Sequence, residues 1–115
     1  MREIKFRIWN SDLGYMREFE PFNLRQEYYC WHNNDIISQF IGLKDKNGVE
    51  IYEGDILRDD EEFEDVMDVV EWSDDFSGWC TKPNYILFSE WVEFEVYKNY
   101  AVIGNIYENP DLLKQ

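Results

Sequence analysis

Polar and apolar residues alternate in short runs along this chain, and clusters of turn formers separate the runs. Ile4, Phe6 and Ile8 share one side of an extended segment, with Glu3, Lys5 and Arg7 on the other. That period of two predicts a half-buried first strand over residues 2–9 whose charged side is wet. Asn10-Ser11-Asp12-Leu13-Gly14 reads as a turn, and residues 15–19 as a strand returning beside the first. Pro21 interrupts any strand that would follow. Residues 28–31 form a short candidate strand, and Asn33-Asn34-Asp35 a turn.

The middle of the chain is the most legible part. Residues 36–41 are apolar and β-branched enough for a strand. Lys44-Asp45-Lys46-Asn47-Gly48 is made of turn formers, and Asn47-Gly48 is a strong hairpin signal because both residues tolerate positive φ. Val49 and Ile51 alternate with Glu50, as in a strand with one wet face. Glu53-Gly54-Asp55 breaks the run: Gly54 lets the backbone bend, and the Asp55 side chain can fold onto nearby backbone N–H groups. Ile56-Leu57 then opens another strand.

Further strands are expected at 66–72, with Val66, Val70 and Trp72 on one face, and at 84–88 and 91–97. In the last of these Val92, Phe94 and Val96 alternate with Glu93, Glu95 and Tyr97; a helix through 89–98 is the competing reading. Ser73-Asp74-Asp75-Phe76-Ser77-Gly78 reads as a loop. Residues 101–107 form the closing strand, in which Gly104 predicts a bulge or a close backbone approach. Asn109-Pro110 opens a short helical turn, with Asn at the N-cap, Pro at the first helical position and Leu112 and Leu113 to bury. The sum is a single mainly β domain over 1–115. It has about seven short strands in a barrel-like or sandwich arrangement and a short C-terminal helical turn.

Gln39-Phe40-Ile41-Gly42-Leu43-Lys44-Asp45-Lys46-Asn47-Gly48-Val49-Glu50-Ile51-Tyr52-Glu53-Gly54-Asp55-Ile56-Leu57 closely resembles the signature of the YopX family, small proteins encoded by phages and prophages. The opening run from Met1 to Trp9 resembles that family's first strand. Val102-Ile103-Gly104-Asn105-Ile106-Tyr107-Glu108-Asn109-Pro110 resembles its closing segment. The resemblance implies a phage origin, a mainly β fold and self-association, with a regular closed ring as one form. It brings no catalytic residue.

Composition narrows the function. The 115 residues carry 25 acids against 11 Lys and Arg, a formal net charge of −14. Direct binding of nucleic acid or of anionic lipid needs clustered cations, so neither is expected. Five of the basic residues, Arg2, Lys5, Arg7, Arg17 and Arg25, precede Gln26. That end could meet the acidic middle of a neighbouring copy, although a simple solvated face is the plainer explanation. Aromatics make up 18% of the chain, too many for a disordered protein and hard to bury in one small domain. A homo-oligomer follows as the expected state, with a host or phage protein as the other possible partner. Trp72, Trp79, Trp91, Tyr85 and Tyr97 lack the basic groove of a single-strand stacking platform, so core or interface duty is expected of them. Two cysteines without a signal peptide, and no apolar run of membrane-spanning length, point to the cytoplasm of a bacterial host with both thiols reduced.

Candidate chemistry is sparse. His32 is the only histidine, so a Ser-His-Asp triad would need it, and no G-x-S-x-G elbow presents a serine. Cys30, His32 and Cys80 could supply three zinc ligands, but zinc sites show closer cysteine pairs. Asp45, Asn47 and Glu50 resemble a calcium loop, yet Gly48 falls in the wrong register for one. Carboxylate pairs are uninformative in so acidic a chain, and no phosphate-binding loop occurs. No enzyme, metal or cofactor is therefore expected. The candidate partner-binding residues are Asp59, Asp60, Glu61, Glu62, Glu64 and Asp65, which open a window of ten acids and no base between Asp59 and Asp75. Fully extended, that window carries one charge per roughly 5.6 Å, against about 1.7 Å for duplex DNA. An acidic decoy of DNA for a host DNA-binding protein, the alternative function, would need the segment folded back or subunits stacked. The leading expectation is a non-enzymatic phage accessory protein that works by protein contact or self-assembly.

Overall fold

Alternating segments of this kind can bury their apolar sides only against one another, and the computed structural model shows how they do so. It describes residues 4–19, 35–59, 67–82, 87–88, 93 and 99–113. The strands are β1 (Phe6–Asn10), β2 (Tyr15–Phe19), β3 (Asp35–Lys44), β4 (Glu50–Tyr52), β5 (Asp55–Asp59), β6 (Met67–Ser73), β7 (Gly78–Lys82) and β8 (Tyr100–Asn105). A 3-10 turn, Pro110–Leu113, closes the described chain. One antiparallel sheet has the order β2-β1-β3-β4 and the other β7-β6-β5-β8. Ile41 and Ile51 from the first sheet meet Leu57, Val70 and Tyr100 from the second, with Phe88, in one shared core. The expected mainly β architecture with its C-terminal helical turn is the one observed.

Asn10 closes the first hairpin. Its side-chain oxygen accepts from the Asp12 and Leu13 N–H groups, each at 2.9 Å, and its amide donates to Asp35 at 2.7 Å. The hairpin β3–β4 turns differently from the two-residue form that Asn47-Gly48 suggests. Gly48 has φ +81°, while Asn47 keeps negative φ. Gly48 N–H donates to the Asp45 carbonyl at 3.1 Å, and Asp45 N–H to the Val49 carbonyl at 2.9 Å. This is an ordinary four-residue turn, Asp45 to Gly48, whose last residue is a left-handed glycine. Val49, expected on a buried face, lies outside the strand and is exposed.

Asp45 itself is buried and joins the sheets. One carboxylate oxygen accepts from Asn47 and Val49 N–H, and the other from Val102 N–H on β8, all at 2.8 Å. Lys46 N–H adds a bond to the Tyr100 carbonyl at 3.1 Å. The hairpin end therefore covers the edge of β8. We expect Asp45→Ala to cost about 2 kcal/mol, because hydrogen bonds to a charged acceptor are the strong ones. A urea titration should show a lower midpoint with an unchanged slope, and Asp45→Asn should recover part of the loss.

Gly104 lies at the expected bulge, and what approaches it closely is a side chain and not another backbone. Ile56 pairs with Gly104 but Leu57 with Val102, so β8 carries one extra residue at this point. A Cβ on Gly104 would lie 2.6 Å from the Asn109 side-chain oxygen. Asn109 uses that oxygen to accept from Asn105 N–H at 3.2 Å, so its side chain looks back to the strand where an N-cap was expected. Leu112 is half-buried and Leu113 exposed, so the turn buries less than its two leucines promised.

Other departures have local reasons. β7 received no element from the sequence; its alternation is short, and its register comes from pairing with β6, Trp72 opposite Trp79 and Val70 opposite Thr81. In the expected strand 84–88, Leu87 makes only an isolated bridge to Cys80 and Phe88 is helical. Glu93, inside the expected strand 91–97, is helical as well. The sequence satisfied both periods there, because Phe88, Val92 and Val96 also stand four apart. The remaining residues of those two segments lie outside the described residues, as do the candidate strand at 28–31 and Val66.

Candidate functional site

Charged side chains on β1 and just before it build a polar cluster between the two sheets. Lys5 and Arg7 were expected on a wet face. They instead turn toward the rest of the chain, because Glu50 on β4 and Asp55 on β5 receive them. Lys5 Nζ lies 2.8 Å from Glu50 Oε2 and 5.7 Å from the centre of the Phe40 ring. Arg7 Nη2 pairs with Asp55 Oδ1, and its guanidinium lies 4.5 Å over the Tyr52 ring. The other Asp55 oxygen accepts from Tyr52 N–H at 2.7 Å, as the Gly-Asp corner led one to expect. Phe40 and Tyr52 pack with ring centres 5.6 Å apart. These pairs are made within one chain, so Lys5 and Arg7 are not held out toward a neighbour's acidic middle.

Burial sets the electrostatics. It pushes the Tyr52 phenol up to about 12, helped by Glu18 and Glu50 and opposed by Lys5 and Arg7. It also pushes the Asp55 carboxyl above its ordinary range, while Arg7 and the Tyr52 N–H pull the other way. Arg7 Nε, Ser38 Oγ and Tyr52 OH are buried and accept or donate no hydrogen bond among the described residues. Ser38 stands opposite Arg7 in the ladder. Both Asp55 oxygens are engaged, so the cluster acts as a clamp between β1 in one sheet and β5 in the other. Sequence reading missed the Arg7 partner because 48 positions separate it from Asp55 and no local spacing signals such a pair.

The corner before Asp55 is a second junction. Gly54 has φ +86°, its N–H donates to the Val70 carbonyl, and its own carbonyl accepts from Ile106 N–H, both at 2.9 Å. Asp45, Gly48, Gly54 and Asp55 thus all hold backbone geometry or join the sheets. The signature stretch is an architectural one.

The acidic candidates divide. Asp59 ends β5 and is buried, 8% exposed, which withdraws it from any solvent-facing strip. Asp60, Glu61, Glu62, Glu64 and Asp65 lie outside the described residues, as do Cys30 and His32. Cys80 is buried on β7, and burial raises its thiol pKa, with Glu71 adding to the effect and Lys82 opposing it. No group of three or more His, Cys, Asp or Glu placed to hold a metal occurs among the described residues. Nor is any described helix long and apolar enough to cross a membrane.

Two antiparallel sheets clamped by a buried Arg–Asp pair, with a glycine corner between them, define a small mainly β domain of one recognisable kind. The chain belongs to the YopX family: that family's profile, described as YopX protein, matches residues 22–114. The crystal structure of protein EF1440 from Enterococcus faecalis is similar, with a TM-score of 0.74 and 26% sequence identity, over 98% of this chain and 99% of that one. No curated protein matches the chain.

Proposed function

We propose that this is a non-enzymatic accessory protein of a phage or prophage, acting in the cytoplasm of a bacterial host through protein contact, first of all with copies of itself. The observation that carries the reading is the outer part of the first sheet. Ile36 and Ile37 are neighbours on β3 and point to opposite faces, yet they are 41% and 46% exposed. Tyr15, on the edge strand β2, is exposed too. Exposed β-branched residues on both faces of one strand end, beside an open edge, are what a second chain would cover. The residues that mark the family support the reading from the other side, since they serve the fold and leave the surface to make contacts.

Light scattering across a concentration series tests this. The expected mass is a multiple of the 14.1 kDa chain, and Ile37→Lys should lower it by placing a charge in the contact. A monomer at every concentration up to the high micromolar range overturns the assembly.

A further inference from the structure

The face of the β6–β7 ribbon that lies against the core does not stop where the core stops. Val70 and Thr81 face each other on it and are fully buried. One pair further out, Trp72 faces Trp79 in an edge-to-face contact, ring centres 5.2 Å apart. Trp79 still packs on the core, whereas Trp72 is 48% exposed and Phe76, in the connecting loop, 58%. The site is held in shape. Trp72 Nε1 donates to Asp74 Oδ1 at 3.1 Å, and Phe76 N–H to Ser73 Oγ at 3.3 Å. Ser77 has φ +51°, the one positive value for a residue other than glycine among the described residues, a conformation that costs energy and persists only where the surroundings impose it.

Among the described residues, the unpaired charge beside these rings has one sign. Asp74 and Asp75 are exposed and stand in no ion pair among the described residues, while nearby Glu71 is already paired with Lys82 at 2.9 Å. A second copy, itself at −14, would bring like charge to this end. A cation suits it, and an aromatic face beside carboxylates suits a guanidinium best, because arginine stacks on indole and binds carboxylate with a planar fork.

We infer that the outer end of the β6–β7 ribbon, Trp72, Phe76 and Trp79 with Asp74 and Asp75, is a docking site for an arginine-bearing segment of a partner protein. The rings supply the stacking surface and the carboxylates the charge. This stands apart from self-assembly through β2 and β3: a monomer can bind the segment, and an oligomer can fail to.

The test uses the full chain and three synthetic hexapeptides in which glycine alternates with arginine, lysine or glutamate. Tryptophan fluorescence is followed at low and at moderate salt. The arginine peptide should bind saturably, more tightly than the lysine peptide and more weakly as salt rises, and the glutamate peptide should not bind. Trp72→Ala and Phe76→Ala should each weaken binding about tenfold, read by calorimetry once the indole is removed. Asp74→Asn with Asp75→Asn should weaken it and flatten its salt dependence. Both positions are exposed, so unchanged urea midpoints will show that the fold is intact. No saturable binding of the arginine peptide, equal binding of the glutamate peptide, or full affinity in folded Trp72→Ala and Phe76→Ala overturns the inference.

Discussion

Asp55→Ala is expected to lower the free energy of unfolding by about 3–5 kcal/mol, the usual result of leaving a buried charge without its partner. Small domains have only about 5–15 kcal/mol in all, so the variant should be partly unfolded at mild temperatures. Arg7, with a side chain 13% exposed, would keep its guanidinium between the sheets with no carboxylate, and Tyr52 N–H would lose its acceptor. The pair is costly to bury as well as costly to break. Arg7→Met with Asp55→Leu removes both charges and should recover most of the loss, short by about 1 kcal/mol for the Tyr52 N–H. The pH dependence has a definite sign. Burial holds the Asp55 carboxyl above its ordinary 3.8, so the folded state keeps the proton more tightly than the unfolded state. Stability from this group therefore falls as pH rises from 3.8 through the raised value. Arg7→Met should steepen that fall by removing the compensating cation, and Asp55→Ala should abolish it. Urea midpoints across the acid-to-neutral range measure both effects. An Asp55→Ala midpoint equal to that of the parent protein, or a double variant weaker than either single one, would refute the clamp.

How much of this was legible beforehand depends on the distance over which each residue acts. The Asp55 side chain on the Tyr52 N–H and the turn at Asn10 answer to residues within three positions, and sequence spacing exposed them. Arg7, Asp45 and β7 answer to partners far along the chain. Alternation assigned Arg7 to water because it reports only that charged and apolar residues take opposite faces, not what waits on the charged side. Asp45 looked like one turn former among several, and its bond to Val102 N–H, 57 positions away, has no local trace. Trp72 was placed correctly on the face of Val70. What the pattern did not show is that this face runs past the core, since that depends on where the opposing sheet ends. The same limit applies to the candidate site. An acidic window is visible in any sequence, but the burial of Asp59 follows from its place at the end of a strand paired on both sides.

Gly54→Ala should be nearly as damaging, for reasons that two further variants can separate. The residue sits at φ +86°, and an added Cβ would lie 2.9 Å from Cε2 of the Tyr107 ring. Left-handed backbone costs an alanine about 1–2 kcal/mol, and the contact forces either the ring or the corner to move. The ring is the far end of a half-buried side chain and can give, but the corner is fixed, because Gly54 joins β6 and the segment after β8 through its own N–H and carbonyl. Displacing the corner would weaken both of those bonds, which brings the expected total to about 2–4 kcal/mol. Gly54→Asn tolerates the left-handed region better but keeps the Cβ, so it should retain the steric part of the cost. Gly54→Ala with Tyr107→Ala removes the ring but keeps the strain, and should retain about 1–2 kcal/mol relative to Tyr107→Ala alone. If Gly54→Ala unfolds at the same urea concentration as the parent, the glycine is not required by the corner. The family signature would then need a different explanation from the architectural one.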